Sequence, residues 1–220
     1  MDWPAIRLTL AVACCTSAIL LVIGLPLAVW LARPVHGWRF LIEAAVALPL
    51  VLPPTVLGFY ILWATGPHSF LGRGYESLFA SRLPFSFPGI VIASALYNLP
   101  FAVRPFTAAI AAVDRKLIEA SWCLGVSRPA TFWRITLPLA RRGILAGIVL
   151  TFAHAVGEFG VILMVGGNIP GVTRTLSVAI YDDVQALDYA AAGRSSLLLL
   201  VFAFAVVSLL HLLQDRRRAP

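Results

Sequence analysis

The stretch EASWCLGVSRPATFWRITLP, Glu119 to Pro138, lies between two long apolar segments of a 220-residue chain. It holds charged residues and three aromatic residues, in a chain that is 60% hydrophobic and only 12% charged. The pattern predicts a helix that ends in a left-handed turn at Gly125. A second short helix follows, with Ser127 as its cap and Pro129 in its first turn. Pro138 either ends this helix or joins it through a kink to the next apolar segment.

The composition of the whole chain indicates a membrane protein. A soluble domain carries about 25% charged residues, and the mean hydropathy here is +0.90. The net charge of +7 is typical of basic residues gathered in cytoplasmic loops, so no nucleic-acid partner is expected. The three cysteines have neither metal spacing nor the even number of a disulfide framework, and we interpret them as small apolar side chains.

Five segments are long and apolar enough to cross the bilayer as helices. They run from Leu8 to Leu31, Phe40 to Trp63, Pro88 to Ile110, Gly143 to Val165 and Gly193 to Leu213. If the N-terminus is outside, eleven basic residues fall on the inner side and five on the outer side. The positive-inside rule therefore favours this orientation, with the C-terminus inside. The chain is expected to be an all-α membrane protein with about five transmembrane helices.

Two segments remain on the outer side. Ala64 to Phe87 contains glycines and prolines and is interpreted as a loop. Gly166 to Ala192 begins with the turn GGNIPG and continues with apolar residues at helical spacing, Leu176, Ile180 and Val184. This spacing predicts a short amphipathic helix at the outer surface. A pair of aspartates within it argues against a sixth span.

The aromatic residues of the quoted stretch allow two interpretations. Phe132 and Trp133 stand beside Arg128 and Arg134, and an aromatic anchor with basic neighbours suits docking into a groove of a partner protein. The same residues would equally suit a helix that lies on the membrane surface, with its aromatics at the headgroups. Their spacing alone does not separate the two interpretations.

The motif within this stretch resembles a known one, the EAA loop of permease subunits of binding-protein-dependent ABC importers. The matching positions are Glu119, Ala120, Gly125, Ile135, Leu137 and Pro138, while Ser121 stands where a second alanine is usual. The resemblance implies a type I transmembrane domain over residues 6–213 and a short basic cytoplasmic tail over 214–220. It also implies that Ala120 to Ile135 forms cytoplasmic coupling helices that dock on a separate ATPase subunit.

A narrower resemblance extends along much of the chain. LPLVLPPTVLGFYIL at 48–62 and AVGEFGVILMVGGNIPGVTRTLSVAIY at 155–181 resemble the molybdate permease subunits of bacterial inner membranes. Sulfate permeases share the GEFG and GNIP elements, and tungstate permeases share GGNI and TRTL. The resemblance implies a homodimer with two ATPase subunits inside and one oxyanion-binding protein outside. It also favours molybdate over sulfate or tungstate. The histidines have no metal-site spacing and the chain has no catalytic triad pattern, so no metal, no cofactor and no catalytic residue is expected.

Several residues are candidates for a pathway or gate. Gly157 and Gly160 allow a close helix approach or a local break. Glu158 between them would repel an anion, so we interpret it as a hydrogen-bonding strut or gate element rather than a ligand. Phe159 is a candidate for a hydrophobic gate.

Arg104 is a charged residue within a span and needs a partner or water. At about 1.5 Å per residue, it lies about 14 Å deeper than Glu158 if the helices are straight. We therefore expect Arg104 to pair with Glu43, or with backbone carbonyls freed by Pro100 and Pro105. It either attracts an oxyanion from the inner side or serves as a structural tie or interfacial residue.

Two further groups of residues are interpreted from position. Pro53 and Pro54 break the second span near its middle, either as a pore-lining element or as a simple kink. Asn168, Thr173 and Arg174 lie in the outer loop and are candidates for contact with the binding protein. Thr173 could equally cap a helix, as could the nearby Thr175.

Two other classes of membrane protein lack support in the sequence. An intramembrane enzyme needs a catalytic carboxylate or histidine pair at one depth, and none is evident. An ion-driven secondary transporter typically has inverted repeats and carboxylates near the midplane, and neither is evident. The chain also lacks a phosphate-binding loop, so the energy for transport is expected from a separate ATPase.

Overall fold

The computed structural model describes residues 2–33 and 37–215, with side chains up to residue 210. His36 and most of the predicted basic tail, residues 216–220, lie outside the described residues. All regular structure in the described ranges is helical. The elements in chain order are α1 (Trp3–Leu31), α2 (Arg39–Val51), α3 (Pro54–Thr65), α4 (Phe70–Phe79), α5 (Phe87–Ala111), α6 (Arg115–Cys123), α7 (Arg128–Thr131), a π-helical turn (Phe132–Thr136), α8 (Leu137–Val156), α9 (Gly160–Gly166), α10 (Leu176–Gln185) and α11 (Tyr189–Asp215).

Four helices of the described chain are long and apolar enough to span a membrane, which confirms a multi-pass all-α protein. They are Trp3–Leu31, Phe87–Ala111, the continuous helix Arg128–Val156, and Tyr189–Leu210. The second predicted span would be a fifth, but α2 and α3 meet at an angle of 114°. The count is therefore four, or five if this bent pair crosses as one span.

The break between α2 and α3 follows directly from the paired prolines. Leu52 and Pro53 each precede a proline, which disfavours helical backbone angles at both residues. Both are extended, with ψ of 136°. The proline break expected in the second span is confirmed. Two consecutive extended residues redirect the chain there, so the segment predicted from Phe40 to Trp63 consists of two helices bent by 114°.

Helix α5 is the centre of the bundle and packs against α1, α2, α8 and α9. Its residues Ala102, Val103 and Phe106 are buried in the largest apolar cluster. Close packing against α8 depends on glycine. A Cβ atom on Gly143 would lie 2.5 Å from the Cβ of Ala109, and one on Gly147 would lie 2.8 Å from the ring of Phe106.

Helix α4 corrects the prediction of a loop over 64–87. Ser69 begins the helix by accepting a hydrogen bond from the N–H of Gly72 at 2.8 Å, and Ala80 ends it in the left-handed region. Gly72 and Gly74 lower the helix propensity of this segment. For that reason Ser69 was not recognised as a helix N-cap from the sequence.

Helix α10 confirms the predicted short helix, although its buried face differs from the predicted one. Leu176, Val178 and Ala179 are buried, whereas Val184 is 40% exposed. The hydroxyl of Thr9 on α1 accepts a hydrogen bond from the N–H of Leu176 at 2.8 Å. This contact brings the first turn of α10 onto the bundle, so burial is concentrated there rather than spread along one stripe.

The α5–α8 packing predicts opposite effects for two glycine substitutions. Gly147→Ala should destabilise the protein by about 1–3 kcal/mol, because the buried Phe106 ring cannot give way without strain. Gly193→Ala on α11 meets no atom within 4 Å, so it should be neutral or stabilising by up to about 1 kcal/mol. Thermal unfolding in detergent tests the pair, and equal melting temperatures for the two variants would contradict the packing.

Candidate functional site

A cleft of about 620 Å³ opens where two interrupted helices face each other beside α5. Its walls are formed by residues at the α2–α3 break, on α5, at the end of α8 and at the start of α9, namely Pro54, Thr55, Tyr97, Ala153, His154, Gly157, Glu158, Phe159 and Gly160. The two breaks touch, since a Cβ on Gly160 would lie only 2.8 Å from the Cβ of Pro54. The structure thus brings together the predicted Pro54 and all of Gly157, Glu158 and Phe159.

Of the two roles considered for the glycines of GEFG, a close helix approach or a local break, the structure shows a break between α8 and α9. Helix α8 ends at Val156, and Phe159 has φ of −127° and ψ of −59°, outside the helical region. The predicted span from Gly143 to Val165 is therefore interrupted, and the helix of spanning length in this region is Arg128–Val156. Gly160 begins α9, where only a residue without a side chain fits against the proline.

Glu158 joins this break to α5. Glu158 is buried, with only 5% of its surface exposed. Its Oε2 accepts hydrogen bonds from Ser94 Oγ at 3.0 Å and from Asn98 Nδ2 at 2.8 Å. It forms no ion pair with any residue in the described ranges, and its Oε1 has no hydrogen-bond partner there. These are the contacts of a strut, as the sequence led us to expect, and a gating role stays a prediction.

Asn98 and His154 belong to the site but are not among the residues predicted from the sequence. Asn98 Oδ1 lies 2.9 Å from His154 Nδ1, and the His154 ring stacks on Phe101 with centroids 3.7 Å apart. Ser94, Asn98 and Phe101 are spaced i, i+4, i+7 and so share one face of α5. The two polar residues among them, Ser94 and Asn98, lie one turn apart in an apolar span, and this was the available signal.

Phe159 lies between the cleft and α10. Its ring centroid is 5.0 Å from that of Tyr181, and the side chain packs against the apolar cluster of α1, α5 and α10. A movement of α10 relative to α8 would therefore reach this ring directly.

Glu43 does not pair with Arg104. It forms an ion pair with Arg39 at 2.8 Å, one turn earlier on the same helix, so the expected Glu43–Arg104 pair is wrong. A partner at i−4 needs no approach of a second helix. Arg104 is exposed, and among the described residues it has no ion pair. Its spacing from Tyr97 and Phe101 places all three on one face of α5, so Arg104 continues the face that lines the cleft.

The α6–α7 segment forms a compact hairpin with the predicted left-handed turn. Gly125 has φ of +78°, its N–H donates to the carbonyl of Trp122 at 2.9 Å, and the N–H of Val126 donates to Ser121 at 3.0 Å. These two bonds are those of a Schellman motif, which requires a left-handed residue that glycine adopts without strain. The predicted helix, turn and short helix are confirmed.

The two short helices are tied together by hydroxyl groups. Ser121 Oγ lies 2.8 Å from Thr131 Oγ1, with both side chains buried. An alanine at 121, the residue usual in the EAA pattern, would lack this bond. Pro129 lies in the first turn of α7 as predicted, but the hydroxyl of Ser127 makes no cap bond.

Several large apolar side chains of the hairpin and of the π-helical turn that follows it are exposed. Trp133 is 65% exposed, and Leu124 and Trp122 are also exposed. Phe132 packs edge-on against Trp133 with centroids 5.5 Å apart, while Glu119 pairs with Arg115 at 2.8 Å. Ala120, Ser121 and Gly125 thus lie within the hairpin, Phe132 begins the π-helical turn that follows it, and Leu137 and Pro138 start α8.

Pro138 neither ends the helix nor marks a sharp bend. The π-helical turn at Phe132–Thr136 precedes it and links α7 to α8 without interruption. Proline lacks the N–H that an α-helix would direct to the carbonyl of Arg134, and a π-turn is a common accommodation of such a defect. The predicted connection to the next span is therefore continuous.

The three loop candidates occupy different environments. Asn168 is exposed. Thr173 is fully buried, and its hydroxyl donates to the carbonyl of Gly166 at 2.7 Å and accepts from Ile169 N–H at 3.2 Å. Arg174 pairs with Asp182 at 3.0 Å and lies 3.7 Å from Asp2.

Thr175 occupies the N-cap position of α10, but its side chain makes no cap bond. Thr9 supplies the acceptor for the first turn instead. The predicted capping of α10 by Thr173 or Thr175 is therefore wrong, because the first turn of α10 is capped by Thr9 of α1.

The strut predicts a difference between two substitutions of Glu158. Glu158→Leu should destabilise the protein by about 1–3 kcal/mol, because it leaves the buried donors of Ser94 and Asn98 without an acceptor. Glu158→Gln retains an acceptor oxygen and should lose less. Thermal unfolding in detergent measures both, and a leucine variant as stable as the glutamine variant would contradict the strut.

The chain matches the family model for the binding-protein-dependent transport system inner membrane component over residues 24–219. It is 47% identical over 210 residues to the molybdenum transport system permease protein ModB of Azotobacter vinelandii, covering 96% of this chain and 93% of that protein. It is 37% identical over 209 residues to ModB of Escherichia coli (strain K12), covering 95% and 91% of the two chains.

Solved structures show the same fold. The crystal structure of a bacterial ABC transporter involved in alginate import matches with a TM-score of 0.72 at 20% identity, over 97% of this chain and 78% of that one. The inward-facing MetNI methionine ABC transporter matches with a TM-score of 0.67 at 19% identity, over 95% and 94%. From its sequence match and its fold, the chain belongs to the binding-protein-dependent transport system inner membrane component family, the permeases of ABC importers.

Proposed function

We propose that this chain is the pore subunit of an ATP-driven importer of molybdate, with two copies around a central pathway. The observation that carries the proposal is the identity over nearly the whole chain to permeases named for molybdenum transport. The aligned region includes the residues of the cleft and of the hairpin, so the similarity to these permeases extends over both candidate sites.

The cleft supplies the pathway in this proposal. Backbone groups freed at a helix break are tolerated at membrane depth only where protein or cavity water satisfies them, and both breaks of the described chain border the cleft. Arg104 continues this face of α5 and supplies a positive charge for a dianionic oxyanion. Phe159 gates the cleft through its contact with α10.

The hairpin couples this pathway to ATP hydrolysis. Its exposed Trp122, Leu124 and Trp133 suit the groove of an ATPase subunit, with one ATPase for each copy of the chain. The helix that starts in the hairpin at Arg128 continues to Val156, a length of about 40 Å at 1.5 Å per residue. Movement of the hairpin is thereby transmitted to the end of α8, where the cleft lies.

The remaining features fit the same assembly. The distribution of basic residues supports a cytoplasmic location of the hairpin at a bacterial inner membrane, with the N-terminus outside. The transmembrane domain covers 6–213 and the basic tail 214–220. An oxyanion-binding protein docks on the outer side, where Asn168 offers an exposed side chain and Arg174 a partly exposed one.

Docking of the hairpin predicts a selective effect of Trp133→Ala. Loss of a central aromatic anchor typically costs at least about 2 kcal/mol of binding, so co-purification of the ATPase subunit should fall while the melting temperature of the permease stays unchanged. Phe70→Ala on α4 is the control, because Phe70 is an equally apolar aromatic that is 85% exposed. Equal ATPase recovery from both variants would contradict the role of the hairpin.

Elemental mass spectrometry tests the substrate. Cells that lack the gene are grown in trace molybdate, with and without the gene restored, and molybdenum, tungsten and sulfur are read from one digest. We expect restoration of molybdenum alone. Restored tungsten or sulfur would assign a different oxyanion, and no change in any element would overturn the proposal. Uptake that persists without the ATPase subunit would indicate an ion-driven transporter instead.

A further inference from the structure

A continuous chain of hydrogen bonds crosses the cleft wall from the α8–α9 break through α5 to α8. It runs from Glu158 Oε2 to Asn98 Nδ2 at 2.8 Å, and from Asn98 Oδ1 to His154 Nδ1 at 2.9 Å. Asn98 is fully buried, while Glu158 and His154 line the cleft. An amide therefore connects an acidic and a basic side chain on one wall.

The orientation of the Asn98 amide is fixed by its neighbours. Its Nδ2 donates to the backbone carbonyl of Ser94 at 2.9 Å and to Glu158 Oε2 at 2.8 Å, and it also lies 3.3 Å from Ser94 Oγ. The two N–H groups of the amide are thus used, and Oδ1 is left as an acceptor. The group 2.9 Å from Oδ1 must donate, so His154 carries a hydrogen on Nδ1.

This arrangement leaves Nε2 as the polar atom of the ring that a molecule in the cleft can reach. Nε2 has no hydrogen-bond partner in the described part of the chain, and one face of the ring is covered by its stacking on Phe101. Because the Nδ1 hydrogen is committed to Asn98, Nε2 donates to an anion only when the ring carries a second proton from solvent. The ring is then an imidazolium.

Glu158 is placed to balance that charge. A buried carboxylate without a cation is costly, and no residue in the described ranges forms an ion pair with Glu158. The imidazolium of His154 is separated from the Glu158 carboxylate only by the side-chain amide of Asn98, which is hydrogen-bonded to both. The other titratable or charged side chains on the faces that adjoin the ring are Tyr97 and, further along α5, Arg104, while α3 contributes no acidic or basic residue.

We propose that His154 is a substrate-binding residue of the pathway, and that its Nε2 donates a hydrogen bond to a tetrahedral oxyanion dianion passing through the cleft. Asn98 and Glu158 act as positioning residues that fix the ring and balance its charge. The cleft, at about 620 Å³, holds such an anion together with several waters, each of which occupies about 30 Å³ in the liquid. This inference rests on the proposed import of an oxyanion.

The test uses the whole transporter in proteoliposomes, with its ATPase subunits and saturating molybdate-loaded binding protein. Uptake of molybdate and hydrolysis of ATP are measured together. His154→Gln should lower uptake by about tenfold, the loss expected for one charge-assisted hydrogen bond, while ATP hydrolysis stays within about twofold. His154→Lys restores a cationic donor and should recover most of the uptake. His68→Gln, the same change at an exposed histidine outside the cleft, should change neither quantity.

A second variant separates positioning from folding. Asn98→Leu should lower uptake about as much as His154→Gln in the wild-type background. It should have less than about twofold effect in the His154→Lys background, because an ammonium group needs no partner to fix its tautomer.

The outcomes are distinct. If the wild-type transporter takes up no oxyanion, the proposed function is overturned, and the inference with it. Wild-type uptake together with unchanged uptake in His154→Gln would overturn the inference alone. Uptake and ATP hydrolysis that fall in parallel, without recovery in His154→Lys, would assign His154 a structural role and would also overturn it.

Discussion

Inside a membrane every backbone N–H and C=O must find a partner, because the hydrocarbon offers none. This constraint explains where the chain interrupts its helices. The α2–α3 break at Leu52–Pro53 and the α8–α9 break at Gly157–Phe159 meet where Pro54 touches Gly160. The cleft lies there, and the buried carboxyl of Glu158 joins the second break to α5. A substrate path and an interrupted backbone thus require the same polar, water-accessible surroundings.

The second organising feature is the continuous helix from Arg128 to Val156. A hydroxyl pair and a Schellman turn make the α6–α7 hairpin compact at one end, and the π-helical turn accommodates Pro138 without separating α7 from α8. At the other end of this helix stands His154. The hairpin and one wall of the cleft therefore lie at the two ends of one continuous helix.

Local chemistry made some of these features predictable. The turn at Gly125, the break within GEFG and the break at Pro53 follow from backbone preferences of a few neighbouring residues. The 114° angle between α2 and α3 does not, since it depends on what the helices pack against. The Glu43–Arg104 pair was wrong because matching depths in straight helices overlooked Arg39, one turn away on the same helix. The link from Asn98 to His154 depends on how α5 and α8 face each other, which one sequence does not specify.

The most direct test of the central claim is the accessibility of the cleft in the assembled transporter. Cys14, Cys15 and Cys123 are first replaced by alanine, and a single cysteine is introduced as Thr55→Cys in the cleft or as Leu200→Cys on the exposed face of α11. Labelling with a charged thiol reagent is then compared between nucleotide states. If the cleft is the pathway, Thr55→Cys is labelled in at least one state and the labelling changes with ATP, whereas Leu200→Cys is not labelled. Equal resistance of both cysteines in every state would contradict the account.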